Sequence, residues 1–153
     1  MAGPAFRFAP VTDADFEDLL ALRIAVMRAS LERLGRFDPD TARARFRRTF
    51  RPADTRRIVV GGVNAGCVAF WSEPPDAMRV EHFYLAPVFQ RLGLGGAVLR
   101  ALFDEAPRAT LRIRVGALRG SDANRFYARH GFVPVSESEW DIEHERHHTP
   151  PRG

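Results

Sequence analysis

The stretch from Tyr84 to Leu102, YLAPVFQRLGLGGAVLRAL, constrains this chain more than any other. Strand-forming residues run into Pro87, which has no N–H to give a strand ladder. Glycines follow at positions 93, 95 and 96. Val98, Leu99, Leu102 and Phe103 then recur at helical spacing, so a helix is predicted from about Leu94 to Ala106. A strand that ends, turns through glycines and starts a helix leaves backbone N–H groups without partners at the positive end of the helix dipole. Glycine lets a bulky anion approach that backbone, and a pyrophosphate is the natural guest.

Three phosphate-binding patterns can be tested against the glycines. A Walker A loop needs a lysine after its last glycine, and the chain has no lysine at all. The dinucleotide fingerprint G-x-G-x-x-G fits Gly93 and Gly95, but its third glycine falls on Val98. The pattern Gln/Arg-x-x-Gly-x-Gly/Ala reads cleanly as Gln90, Arg91, Leu92, Gly93, Leu94, Gly95. Taken alone, that hexapeptide is equally a tight turn into a helix.

The rest of the chain reads as strands and helices around this segment. Phe6–Val11 is a first strand. Thr12 is an N-cap with Asp15 reaching back, and a helical repeat runs from Phe16 to Leu34, whole or broken, with Gly35 as its stop. Asp38 and Pro39 restart a short arginine-rich helix. Ile58–Val60 and Cys67–Trp71 form a hairpin with its turn near Val63, Asn64, Ala65 and Gly66. Residues 78–86 form a third strand and Thr110–Val115 a fourth. A helix capped by Ser121 runs to about His130, and FVPVSES (Phe132–Ser138) and WDIEHERH (Trp140–His147) read as two late strands. Residues from about 145 to 153 are expected to be a frayed tail. The fold class is α/β (α+β): one domain over residues 1–153, with a mixed, mostly antiparallel central sheet flanked by helices. The step from VEHFYL to TLRIRV is its parallel strand pair.

The bulk numbers narrow the function classes. All 23 basic residues are arginine against 19 acids, a net charge of +4, and no basic tail stands out, so a nucleic-acid partner is not expected. No long apolar run predicts a membrane span, and MAGPAFRFAP lacks the pattern of a secretory signal. The single cysteine, Cys67, excludes an intrachain disulfide and fits a cytoplasmic setting.

HFYLAPVFQRLGLGGAVL, together with ANRFYARHGF further on, resembles the GNAT family of acetyl-CoA-dependent N-acetyltransferases. The order of elements agrees from about Phe6 to His144. The resemblance implies a splayed parallel strand pair and acetyl-CoA as co-substrate, with no metal. Gln90, Arg91, Leu92, Gly93, Leu94, Gly95 and Gly96 would hold the pyrophosphate through backbone N–H groups. Phe83, Tyr84 and Leu85 would pair with the pantetheine arm, and a backbone N–H there would polarise the thioester carbonyl. Tyr127 matches the family tyrosine that acts on the departing thiolate. The family asparagine seven residues earlier is Gly120 here, which leaves Ser121 or Asn124 as substitutes on that side of the coenzyme.

An ammonium group cannot attack a thioester, so a base must take its proton. Glu81 and His82 alternate on the strand leading to the thioester, and either residue type suits the task. The acceptor, a small-molecule amine, is expected at the first two helices and the late hairpin, where Arg23, Arg28, Arg36 and Trp140 are candidates and an arginine would pair with a carboxylate. His144, His147 and His148 are read as solvated rather than as a metal cluster. The reading is direct acetyl transfer in a ternary complex, with a homodimer compatible. The rival is an acyl-CoA-binding sensor or interaction module that has lost turnover.

Overall fold

The computed structural model describes residues 4–149. Its elements are β1 (Arg7–Pro10), α1 (Phe16–Arg33), α2 (Pro39–Thr49), β2 (Thr55–Val60), β3 (Val63–Glu73), β4 (Ala77–Leu85), α3 (Leu94–Glu105), β5 (Arg112–Leu118), α4 (Ala123–Arg129), β6 (Val133–Glu137) and β7 (Asp141–His147). One seven-stranded sheet has the order β1-β2-β3-β4-β5-β7-β6. The pairs β1–β2, β2–β3, β5–β7 and β6–β7 are antiparallel, and β4–β5 is parallel. The mixed sheet read from the sequence is therefore present. The parallel register runs from Ala77↔Arg112 to Val80↔Val115 and stops there, although both strands continue.

The chain groups into two compact units, Met1–Ala69 with His82–Gly95, and Phe70–Glu81 with Gly96–Gly153. In the first, the Thr12 N–H donates to Asp15 Oδ2 at 2.8 Å, as the cap requires, and a 3₁₀ turn leads into α1. The helix is unbroken over 18 residues. It closes where Gly35 takes φ +68° and the N–H groups of Gly35 and Arg36 return to Glu32 and Leu31. Asp38 Oδ2 accepts from the Thr41 N–H at 2.8 Å, which opens α2 at Pro39. The core gathers Val11, Phe16, Leu19, Leu20, Phe46, Cys67 and Tyr84. Phe16 stacks on Phe46 with centroids 5.3 Å apart, and the Arg47 guanidinium lies 3.8 Å over the Phe16 ring.

The hairpin turn is two residues earlier than expected. Gly61 and Gly62 take φ +55° and +78°, and Val60 pairs with Val63. A two-residue turn with both residues left-handed matches the twist of the flanking strands, so the Gly-Gly pair outweighs the downstream Asn-Ala-Gly. Val63 to Gly66 are therefore strand. Gly66 has its own use there, since a Cβ on it would lie 2.1 Å from the Tyr84 carbonyl oxygen. No side chain fits between β3 and the end of β4 at that point.

In the second unit, Val98, Leu99 and Leu102 of α3 are fully buried, as their spacing predicts, with Ile113, Val115 and Phe132 also in the core. β5 begins and ends later than expected, because β7 pairs with it as far as Leu118↔Asp141. Asp122 rather than Ser121 takes the N-cap position of α4, with no side-chain cap. The expected tail also changes. Residues 145–147 complete β7, and the His148 N–H donates to the Leu111 carbonyl at 2.8 Å, while residues 150–153 lie outside the described residues. Two arginines form a part-buried ion-pair cluster inside the fold. Arg79 pairs with Glu73 (2.8 Å) and Glu143 (2.7 Å), and Arg114 with Glu145 (3.0 Å) and Glu73 (3.5 Å), all half-buried.

Candidate active site

The end of β4 carries an unusual backbone. His82 takes φ +47°, a left-handed value that a non-glycine residue adopts only at a cost. Its ring is fixed from both sides. The Thr49 hydroxyl donates to the Arg45 carbonyl at 3.1 Å, so its hydrogen is spent. His82 Nε2 therefore donates to Thr49 Oγ1 at 2.7 Å, and Nδ1 accepts from the Tyr84 hydroxyl at 2.9 Å. Phe46 meets the imidazole edge-on, with centroids 4.9 Å apart. The Cys67 thiol donates to the His82 carbonyl at 3.4 Å.

This setting decides how His82 titrates. Burial pushes its pKa from 6.5 to about 4; the Arg23 charge acts in the same direction, and a hydrogen bond with the Thr49 backbone opposes both. His82 is therefore neutral near pH 7 and weakly basic, unlike the free imidazole on which its candidacy as base rested. The consequence for stability has a definite sign. The unfolded chain takes up this proton near pH 6.5 and the folded chain only near pH 4. The contribution is thus complete above the unfolded value and lost as pH falls through the folded one. His82→Gln is expected to remove roughly 3 kcal/mol of the parent's loss of stability across that window. Urea midpoints measured through the acid range check it, and an equally steep fall in the variant contradicts it.

After Leu85 the chain makes a 3₁₀ turn, Pro87–Phe89, and then the glycine segment. Gln90 Nε2 donates to the Leu85 carbonyl at 2.8 Å, tying the loop to the strand it leaves. Arg91 and Gly93 both have positive φ, +64° and +82°. Gln90, Arg91, Leu92 and Gly93 are exposed, while Leu94, Gly95 and Gly96 are buried at the start of α3. Gly95 and Gly96 place side-chain-free N–H groups in that first turn, where helix geometry gives them no partner. An exposed loop with left-handed residues, an arginine and a bare helix start suits a pyrophosphate. Gly96 has a packing reason as well, for a Cβ there would stand 2.7 Å from His130 Cε1.

In the second unit, Tyr127 is 5% exposed, with its ring 5.3 Å from Phe126, 5.5 Å from Phe132 and 6.1 Å from His144. Asn124, expected beside the coenzyme, is engaged internally. Its Nδ2 donates to the carbonyls of Leu118 (2.9 Å) and Ser121 (3.0 Å) and lies 3.3 Å from Ser121 Oγ. Its Oδ1 then accepts from His144 Nε2 at 2.9 Å. The amide pins the β5–α4 turn to β7, a role no sequence motif announced. His144 and His148, read as solvated, are 2% and 3% exposed, and burial is the main reason that both pKa values are lowered. Gly120 has φ +79° with open space around it.

The acceptor candidates separate. Arg28 is exposed, pairs with Glu32 at 2.5 Å and lies 4.5 Å over the Phe37 ring. Arg23 is buried in α1. Trp140 gives its carbonyl to the Arg119 N–H at 2.7 Å. A groove of about 300 Å³ in the first unit is lined by Asp18, Leu22, Arg57 and Asn64, and one of about 270 Å³ in the second by Arg100, Phe103, Arg146 and His148. Neither is lined by Glu81, His82, Gln90–Gly96 or Tyr127. Cys67 is fully buried and its thiol is pushed up to about 12, chiefly by burial, so it is unsuited to act as a nucleophile. Among the described residues, no group of three or more His, Cys, Asp or Glu could hold a metal ion, and no helix is long and apolar enough to cross a membrane.

Comparison with solved structures agrees with this architecture. An acetyltransferase from Thermus thermophilus superposes with a TM-score of 0.74 at 15% identity, over 96% of this chain and 99% of the other. PaiA N-acetyltransferase from Thermoplasma acidophilum, solved in complex with coenzyme A, gives 0.72 at 14%, over 94% and 99%. N-acetylglutamate synthase from Neisseria gonorrhoeae, complexed with coenzyme A and N-acetyl-glutamate, gives 0.65 at 17%, over 94% of this chain and 35% of the other. At these identities the likeness speaks for the fold. No curated protein sequence matches the chain. The sequence model of the acetyltransferase (GNAT) domain matches residues 53–134, more than half of the length and inclusive of β4, the glycine loop, α3 and Tyr127. The chain belongs to the GNAT acetyltransferase family.

Proposed function

We propose that this protein transfers an acetyl group from acetyl-CoA to a primary amine of a small molecule, directly and within a ternary complex. The observation that carries the reading is the run from β4 into α3. A strand loses its parallel partner after Val80, then passes through left-handed Arg91 and Gly93 into a helix start built of Gly95 and Gly96. The residues present fit acetyl-CoA. The loop N–H groups, the Arg91 charge and the helix dipole all favour its pyrophosphate, and the backbone of Phe83, Tyr84 and Leu85 supplies amides for the pantetheine arm and the thioester carbonyl. Ser121 and Asn124 flank the same coenzyme in this reading, Asn124 by holding the turn rather than by its amide. Family membership and the absence of an activated cysteine support direct transfer without an acyl-enzyme. The lone buried cysteine also fits a cytoplasmic setting.

Glu81 is the base in this scheme, because both ring nitrogens of His82 are taken up, Nε2 by Thr49 and Nδ1 by the Tyr84 hydroxyl. Glu81→Gln is expected to lower the maximal rate by about 10²-fold and to remove the acidic limb of the rate–pH profile. A parent-like profile in that variant assigns the proton to another group. The function itself is tested by following free thiol release from acetyl-CoA over a panel of amines. Release above the hydrolytic background with at least one amine supports it. Coenzyme binding without release from any amine favours the non-catalytic sensor.

A further inference from the structure

We propose that Arg23 anchors a carboxylate of the acceptor, so that the substrate class is amines bearing a carboxylate near the nitrogen, such as amino acids. The inference rests on the acetyl-transfer reading and narrows it.

Arg23 sits in the middle of α1, three and four residues after the buried Leu20 and Leu19 and on the same helix face. A leucine there would simply extend the core. Instead the arginine is 8% exposed, and its Nε and Nη1 are buried with no hydrogen-bond acceptor among the described residues. Three other part-buried arginines are answered by carboxylates, Arg57 by Asp15 at 2.9 Å, Arg79 by Glu73 and Glu143, and Arg114 by Glu73 and Glu145, whereas Arg146 donates to the His130 carbonyl and leaves its Nε without a partner. A guanidinium taken out of water without a counter-ion is among the costliest arrangements in a fold. An anion supplied by a ligand removes that cost on binding.

The place fits an acceptor. Arg23 is near enough to His82 for its charge to act on that ring, and His82 directly precedes the Phe83–Leu85 backbone proposed for the thioester. The imidazole is held by Thr49 and Tyr84 and is neutral, so this corner of the first unit offers one full positive charge with free N–H donors. A carboxylate neutralises it one for one and accepts from more than one N–H. A dianionic phosphate would stay half-compensated.

The test pairs leucine with isoamylamine and phenylalanine with phenethylamine, and extends the same pairing to other amino acids. The full-length parent is compared with Arg23→Met and Arg23→Lys by thiol release, and by thermal shift with coenzyme A present. The best amino acid should exceed its decarboxylated partner by about 10²-fold in kcat/KM, mostly through KM. Arg23→Met should abolish that preference, leave coenzyme A affinity unchanged and melt no lower than the parent, since an unpaired buried cation has gone. Arg23→Lys should keep part of the preference. Equal use of both members of every pair, or a preference that survives in Arg23→Met, overturns the inference. If no amine releases thiol, the acetyl-transfer reading fails and the thermal shifts decide the site. A rise with an amino acid in the parent but not in Arg23→Met sustains it, and no rise in the parent overturns it.

Discussion

Replacing Gly95 by glutamate, and separately Gly93 by glutamate, is expected to abolish coenzyme A binding. Both positions lie in the segment where exposed loop backbone passes into the first turn of α3. A pyrophosphate held by backbone N–H groups needs those groups uncovered, and a carboxylate there adds bulk and like charge. The two variants fail for partly different reasons, which makes the pair informative. Gly93 has φ +82°, so any side chain at that position also strains the loop, by roughly 1–2 kcal/mol. Gly95 is buried in the first turn of α3, so its glutamate brings bulk and negative charge into the helix start itself. Gly93→Ala separates strain from charge. Calorimetry with coenzyme A should show affinity falling by about 10²-fold or more in both glutamate variants, as for loss of a desolvated charge contact, and far less in the alanine. Circular dichroism and a melting curve establish that each variant is folded. Unchanged affinity in a folded glutamate variant would remove the pyrophosphate from this loop. Gly96→Ala behaves differently, because its Cβ meets His130. That change should appear first as lost stability.

The parts of this fold that were legible in sequence are those where one residue type answers a local demand. Asp38 and Pro39 announced the start of α2, and Gly35 the end of α1, because caps and left-handed stops are decided within a few residues. The glycine segment was legible for the same reason. The hairpin turn lies two residues before its expected place, since Gly61-Gly62 and the later Asn64-Ala65-Gly66 both look like turns until strand pairing chooses between them. What stayed hidden depends on contacts distant in sequence. Nothing near His82 says that Thr49, more than thirty residues earlier, caps its Nε2, or that burial leaves the ring neutral. Nothing near Asn124 says that His144 takes up its carbonyl. Such side chains look free in a sequence, and the fold then uses them for its own hydrogen bonds. Arg23 is the reverse case. In the sequence it is one acceptor candidate beside Arg28 and Arg36 with nothing to rank it above them, and the fold buries it without giving Nε and Nη1 an acceptor.

Tyr127→Phe should lower turnover by about 10²-fold or more while coenzyme affinity barely moves, if the hydroxyl serves the departing thiolate. The substitution is well matched to the site. Tyr127 is 5% exposed on α4, and its ring contacts with Phe126, Phe132 and His144 depend on the aromatic face, which phenylalanine keeps. Packing is thereby separated from chemistry. Phenol and thiol have ordinary pKa values of about 10 and 8.5, so full proton transfer to the thiolate is uphill by roughly 2 kcal/mol. The hydroxyl therefore acts by a hydrogen bond that strengthens as charge builds on sulfur, an interaction present in the transition state and weak before it. Such an interaction changes kcat and leaves ground-state affinity alone. Two measurements check this, single-turnover rates at saturating acetyl-CoA and the calorimetric affinity for coenzyme A. A parallel loss in both would make Tyr127 a binding residue, and a variant with the parent's rate would make it a core aromatic of α4. The effect should also shrink with an acetyl thioester whose thiol is more acidic, because a better leaving group needs less help from the hydroxyl. A loss of equal size with both thioesters would mean that the hydroxyl acts before the carbon–sulfur bond begins to break.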